Sequence, residues 1–315
     1  MQLAQQIKLP ANFRRADFLS FHQRDQQMLA EQWDDQHLYK GIIWNNAPAR
    51  LQFTFVGKRA VNVTLDIDTG SKKISTEKTQ VHLRQLAQHM LGLNQTTTEF
   101  ELAAAQHTEL AALVAQQSGL RVPQSASPFE ALSWAITGQQ ISVSAVTSLR
   151  RKLIERAGIR HSSGILCYPG AEQIITLNIS DLRACGFSQT KAITLLSLAQ
   201  LSQSGQLPLT QWLEDYWNGK PLAADEIFTQ LTSVKGIGPW TVHYALLRGF
   251  SWLDGSLHGD VAVRRNLQRL LTELKIYSGG EKISELDTKN WLAGFSPWRA
   301  LVAAHLWAMQ KADGY

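Results

Sequence analysis

The sequence predicts an α+β protein, a small amino-terminal antiparallel sheet with helices followed by an all-helical region. Three observations carry this expectation. Between about residue 38 and residue 68 apolar side chains alternate with polar ones, past about residue 95 helical spacing takes over, and Gly236-Ile237-Gly238 punctuates two of the helical runs. The chain divides accordingly into residues 1–95 and 96–315.

The amino terminus has no extended apolar segment of the kind that directs secretion. Leu51, Phe53 and Phe55 alternate with polar neighbours, and Val61, Val63, Leu65 and Ile67 do so again after Gly57 and Lys58, which is the pattern of an antiparallel hairpin with one buried face. Val81, Leu86, Met90 and Leu93 then suggest a helix lying across that sheet. From there onward strands disappear from the pattern. Ser127, Pro128 and Glu130 open a helix as cap, first-turn proline and capping-box acid, and Leu132, Ala135 and Ile136 turn it inward. A break at Gly138, with Gln139, Gln140 and Ile141, leads into a helix rich in Arg150, Arg151 and Lys152. Residues 202–206 read as a polar surface loop.

Asp225 can cap a short helix whose apolar positions Ile227, Leu231 and Val234 share one face and which must stop at Gly236. The two glycines permit positive φ and close approach to a partner, Ile237 anchors the turn inward, and Pro239 fits the first turn of the following helix. Backbone amides are left pointing outward at that helix start, where they, the helix dipole and Lys235 attract phosphate. A Gly-x-Gly between helices is also an ordinary tight connection. Asp260 stands where a helix through Leu267 and Leu270 begins, so its plain role is an N-cap. Trp240 and Tyr244 recur at i and i+4, a spacing that by itself signals packing. Residues 297–302 begin a last helix carrying Leu306, Trp307 and Met309.

Composition bounds the function. Lys and Arg number 31 against 26 Asp and Glu, a net charge of +5 that permits a polyanionic partner without resembling a basic tail. Two cysteines, Cys167 and Cys185, make neither a disulfide framework nor a zinc or iron–sulfur pattern. No uncharged apolar run approaches the roughly 20 residues of a membrane span, and a cytoplasmic, nucleoid-associated location is expected.

The run from Leu231 to Tyr244 (LTSVKGIGPWTVHY) with Asp260 beyond it resembles the helix-hairpin-helix signature of the DNA glycosylase superfamily, the hairpin occupying about residues 225–249. Across nearly its whole length, sheet unit included, the chain resembles the 3-methyladenine DNA glycosylase II family. That resemblance implies a catalytic aspartate at Asp260, with Asp254 the lesser candidate because it lies closer to the hairpin and lacks the Val-x-Val-Arg-Arg context. It also implies a base pocket lined by Trp240, Tyr244 and Trp298, and DNA contacts from Lys235, Gly236, Ile237 and Gly238. The loop Gln139-Gln140-Ile141 matches the segment that fills the gap left by an extruded nucleotide, with either Gln140 or Ile141 as the wedge. Bifunctional members carry a lysine nucleophile at or beside the position of Trp240, and an indole there implies a monofunctional enzyme.

What the resemblance implies for activity is excision of cationic alkylated purines such as 3-methyladenine and 7-methylguanine from double-stranded DNA, by a monomer without cofactor or obligate protein partner. No metal is expected on side chains, although carbonyls of the hairpin can hold a monovalent ion, as in the family. Two alternatives share the motifs: a related glycosylase for oxidised or deaminated purines, and a non-catalytic helix-hairpin-helix module that grips DNA backbone.

Overall fold

The computed structural model describes residues 1–70, 75–278 and 281–309. Five strands, β1 (Gln2–Lys8), β2 (Glu31–Trp33), β3 (His37–Trp44), β4 (Ala47–Val56) and β5 (Ala60–Ile67), form one antiparallel sheet in the order β1-β5-β4-β3-β2. The expected hairpin is β4–β5, in which Leu51, Phe53 and Phe55 pair with Leu65, Val63 and Val61 and all six are buried. Asn45 and Asn46, both at positive φ, make the two-residue turn between β3 and β4, a conformation that asparagine tolerates and that matches strand twist. Strand β1 escaped sequence reading because QLAQQIK buries only Ile7 and so shows no apolar face of its own.

The helix Thr76–Met90 covers the sheet as expected, but through Leu83, Leu86, Ala87 and Met90. Val81 faces solvent, 56% exposed, because Leu83 rather than Val81 lies on the stripe that continues to Leu86 and Met90. Beyond the sheet unit the described residues form helices and their connections, with no strand and one isolated bridge, Arg160 with Leu166, which qualifies the expectation that strands end at residue 95. Two apolar clusters build the helical region. One gathers Leu110, Tyr244, Val263, Leu267, Leu301 and Trp307, the other Leu132, Ile136, Leu195, Leu231, Ile237 and Leu246. Ile237, between the glycines, is 4% exposed and anchors the turn as predicted.

Two capping expectations need correction. The helix Ala224–Thr232 takes Ala223 as its N-cap, and Asp225 sits within the first turn with Glu226, acting on the dipole rather than on a backbone N–H. Ser127 does accept from the Glu130 N–H at 3.1 Å, but the Glu130 carboxylate does not return to close the box. Its Oε1 accepts from Lys40 at 2.7 Å and Arg150 at 3.3 Å, and its Oε2 from the Ala126 N–H at 3.0 Å, because buried cations outbid a single amide.

Those cations tie the sheet unit to the helical region. Lys40 of β3, 1% exposed, also donates to Glu31 of β2 at 2.5 Å, and Arg150 meets Glu31 through two N–H groups at 2.9 and 2.7 Å. Burial alone would raise the Glu31 carboxyl, yet Arg150 and Lys40 outweigh it and hold the group below the usual carboxylate range. Two carboxylates and two cations thus neutralise one another at the junction. Arg151 is likewise occupied, with Asp25 at 2.7 Å, so these two arginines serve the junction rather than a free polyanion surface. Replacing Lys40 with Met leaves one guanidinium facing two buried carboxylates, and the expected cost, read from urea unfolding, is about 3–5 kcal/mol. The exposed Arg156–Asp181 pair supplies the contrast: Arg156→Ala should change stability by less than about 1 kcal/mol.

Candidate active site

The hairpin is built from three constraints. The helix Ala224–Thr232 ends, Gly236 takes φ +93°, and Gly238 serves as N-cap of the helix Pro239–Phe250 with Pro239 in its first turn. Pro239 has no N–H, so the first-turn amides of Trp240 and Thr241 are the orphan donors of that helix. Gly236 is required twice over. Besides its φ, a Cβ there would stand 2.1 Å from the Thr194 Oγ1, whose hydroxyl donates to the Lys235 carbonyl at 2.9 Å. The Lys235 side chain is exposed beside the turn. The carbonyls of Lys235 and Gly236 accept from Thr194 and Gln139, and each keeps a second lone pair with which an ion could be held.

The loop after the helix Pro128–Gly138 is bound to this hairpin. Gln139 Nε2 donates to the Gly236 carbonyl at 2.9 Å and to Thr241 Oγ1 at 3.0 Å. From the other side Lys191 donates to the carbonyls of Thr137 and Gln139 at 2.8 and 2.7 Å, satisfying the helix end. Gln140, at φ +59°, and Ile141, 38% exposed, project from the tip, so both wedge candidates are presented outward. Lys191 has no part in the sequence-based expectations. Its partners are backbone carbonyls distant in sequence, which no local pattern announces.

Asp260 is the N-cap of the helix Val261–Glu273 and is 4% exposed. Its Oδ1 accepts from the Ala262 and Val263 N–H groups at 2.9 and 3.0 Å and from Trp307 Nε1 at 3.2 Å; its Oδ2 accepts from Trp240 Nε1 at 3.1 Å. Every donor facing it is an N–H, an arrangement that suits an acceptor-only, ionised carboxylate. Capping and display to the aromatic cluster coexist in one side chain, one oxygen doing most of each. Asp254, by contrast, is bound by Arg299 at 2.8 and 3.0 Å and by Ser296 at 2.8 Å, which gives it a structural occupation. His258 flanks the site, with Nδ1 2.8 Å from Ser256 Oγ, and burial lowers its affinity for a proton.

The rings of Trp240 and Tyr244 lie 5.4 Å apart at 30°, and Trp307 adds a third, 6.4 Å from Tyr244. Trp298 stands elsewhere: its ring packs on Phe100 at 5.9 Å and its Nε1 lies 3.4 Å from Thr96 Oγ1. The structure therefore gathers Trp240, Tyr244 and Asp260 with Trp307, the ring that sequence reading passed over. Nothing local marks Trp307, which falls in an almost wholly apolar helix, Arg299–Ala308. Trp307 also borders a cleft of about 910 Å³ between the two units, lined by Phe21, Arg24, Val143, Thr147 and Arg248 among others. Among the described residues no cluster of His, Cys, Asp or Glu could hold a metal ion.

Comparison with known proteins gives the family. Residues 133–291 match the family model described as HhH-GPD superfamily base excision DNA repair protein. DNA-3-methyladenine glycosylase 1 of Schizosaccharomyces pombe is 26% identical over 259 residues, covering 80% of this chain and 96% of that protein. DNA-3-methyladenine glycosylase 2 of Escherichia coli is 26% identical over 200 residues, 63% of each chain. Among solved structures, the 3-methyladenine DNA glycosylase of Archaeoglobus fulgidus shares the fold with a TM-score of 0.77 at 21% identity, over 96% of this chain and 97% of that one. The Clostridium acetobutylicum 8-oxoguanine glycosylase/lyase does so with a TM-score of 0.70 at 14% identity, over 100% and 99%. With half of its length matched by the family model and the hairpin, cap and aspartate in place, the chain belongs to the HhH-GPD superfamily of base excision DNA repair proteins.

Proposed function

We propose that this chain is a monofunctional DNA glycosylase that extrudes cationic alkylated purines, such as 7-methylguanine and 3-methyladenine, from duplex DNA and hydrolyses the N-glycosidic bond. The observation that carries the reading is the Asp260 carboxylate, fixed by two backbone amides and two indoles at the edge of an aromatic cluster. Relatives named as 3-methyladenine glycosylases support it. In this reading residues 1–95 form the sheet unit, and residues 96–315 carry the chemistry.

The steps follow from charge. The hairpin amides and Lys235 hold backbone phosphate, while Gln140 or Ile141 occupies the gap in the stack, and extrusion costs a few kcal/mol, least for a damaged base. A cationic purine against the rings of Trp240, Tyr244 and Trp307 gains about 0.5–2 kcal/mol over a neutral one. Alkylation has already weakened the glycosidic bond, so the base leaves without a strong general acid. As C1′ becomes positive, the Asp260 carboxylate stabilises it, and water adds to that carbon to leave an abasic site. No amine stands at position 240 for a Schiff base, and Lys191 is committed to two carbonyls, so strand cleavage is not expected.

The deciding experiment incubates methylated duplex DNA with the protein, identifies released bases, and looks for strand scission before alkali. Free methylated purine with intact strands is the expected result; release of neither 3-methyladenine nor 7-methylguanine would overturn the reading. Asp260→Asn should lower excision at least about 100-fold while DNA binding persists. Its amide would face an indole N–H, donor to donor, so a stability loss of about 1–3 kcal/mol is expected as well, visible in thermal melting. Gly236→Ala should weaken DNA binding by roughly tenfold through the displaced turn, with helical circular dichroism retained. Lys235→Ala should weaken binding without regard to sequence and flatten the plot of log affinity against log salt by about one unit.

A further inference from the structure

The sheet unit places an arginine in the cleft with hydrogen-bonding capacity to spare. Phe21 belongs to the helix Arg15–His22, and Arg24 follows it before β2. The Arg24 guanidinium carbon lies 4.1 Å from the centroid of Phe21 and 4.7 Å from that of Trp134; Arg248 lies 4.4 Å from Phe21 and 5.8 Å from Trp307. Rings and cations thus alternate through Trp134, Arg24, Phe21, Arg248 and Trp307. Arg248 is anchored by the Pro123 carbonyl at 2.9 Å. On Arg24, Nε and Nη2 are buried and make no hydrogen bond. Burial lowers the proton affinity of both guanidiniums, that of Arg248 to about 10, and the Tyr244 hydroxyl beside them offsets part of the effect. Arg24 borders both the large cleft and a small cavity that reaches Tyr244 and Trp134.

A guanidinium with two buried, idle nitrogens is an incomplete site, and what completes it is an acceptor. Purines differ at the position that matters. A 6-oxopurine such as 7-methylguanine presents O6, and neutral hypoxanthine presents O6 beside N7, the pair that arginine bridges in duplex recognition. A 6-aminopurine such as 3-methyladenine presents an amino group, donor against donor.

We propose that Arg24 is a specificity-determining residue that donates to the 6-oxo group of the extruded purine, so that the pocket prefers 6-oxopurines to 6-aminopurines. This rests on the glycosylase reading above and narrows its substrate class. It also gives the amino-terminal unit a direct part in recognition.

The test compares single-turnover release of 7-methylguanine and 3-methyladenine by the wild type, Arg24→Met and Arg24→Lys, taking the ratio of rate constants so that the lesions' own lability cancels. Arg24→Met should lower that ratio roughly tenfold, the scale of one lost charge-assisted hydrogen bond, with the loss falling on 7-methylguanine release and none on 3-methyladenine release. Arg24→Lys should restore part of it. An unchanged ratio, or equal loss on both bases, would assign Arg24 to packing and overturn the proposal. Wild-type inertness toward both bases would instead end the glycosylase reading. Binding then decides, with duplexes carrying 2′-fluoroarabino hypoxanthine or adenine, which resist hydrolysis, each opposite an abasic position. Tighter binding of the hypoxanthine duplex, lost in Arg24→Met, upholds the role of Arg24; equal affinities defeat it.

Discussion

The site depends on one carboxylate being asked to do two things. Asp260 starts a helix, and the two amides it accepts fix its position as firmly as any backbone atom. The same group is gripped by the indoles of Trp240 and Trp307, which come from helices far apart in the chain. Removing a charge of this kind from water is expensive unless each lone pair is met, and here four N–H donors meet it. A carboxylate so met is held next to apolar rings, which on the glycosylase reading is the environment in which a developing positive charge on a sugar is stabilised most.

Packing extends outward from that point. Tyr244 and Trp307 belong to the cluster that joins the helices Pro239–Phe250, Val261–Glu273 and Arg299–Ala308, so the pocket rings are also core residues. At the other side of the cleft the buried quartet of Lys40, Glu31, Glu130 and Arg150 fixes the sheet unit against the helices. Such a network contributes less to stability than to alignment, since its Coulomb attraction is largely offset by desolvation. Its position explains why Phe21 and Arg24 arrive at a defined place in the cleft.

Much of this was legible in the sequence, and for local reasons. The β4–β5 alternation, the Gly236 turn, Pro239 in a first turn and Asp260 as a cap are each written within a few residues. What stayed hidden was whatever depends on distant partners. Glu130 has the spacing of a capping-box acid but is claimed by Lys40 and Arg150, Val81 fits an apolar spacing but faces water, and Trp298 gives place to Trp307 near Tyr244. The β1 strand was invisible because an edge with one buried side chain has no periodicity to detect. Arg24 could not be singled out at all, since nothing in its neighbourhood foretells that a helical tryptophan will cover it.

The bond from Gln139 to the Gly236 carbonyl carries a mechanical consequence. On the glycosylase reading, the loop that would enter the duplex and the turn that would clasp the strand are bonded into one part, held from behind by Lys191. Insertion and clamping would then not occur at independent depths: with the strand seated, the penetration of the tip would already be set. Bending of the duplex would thereby be a matter of fixed lever geometry, and a lesion would be sensed by how readily its nucleotide yields to a displacement of constant size.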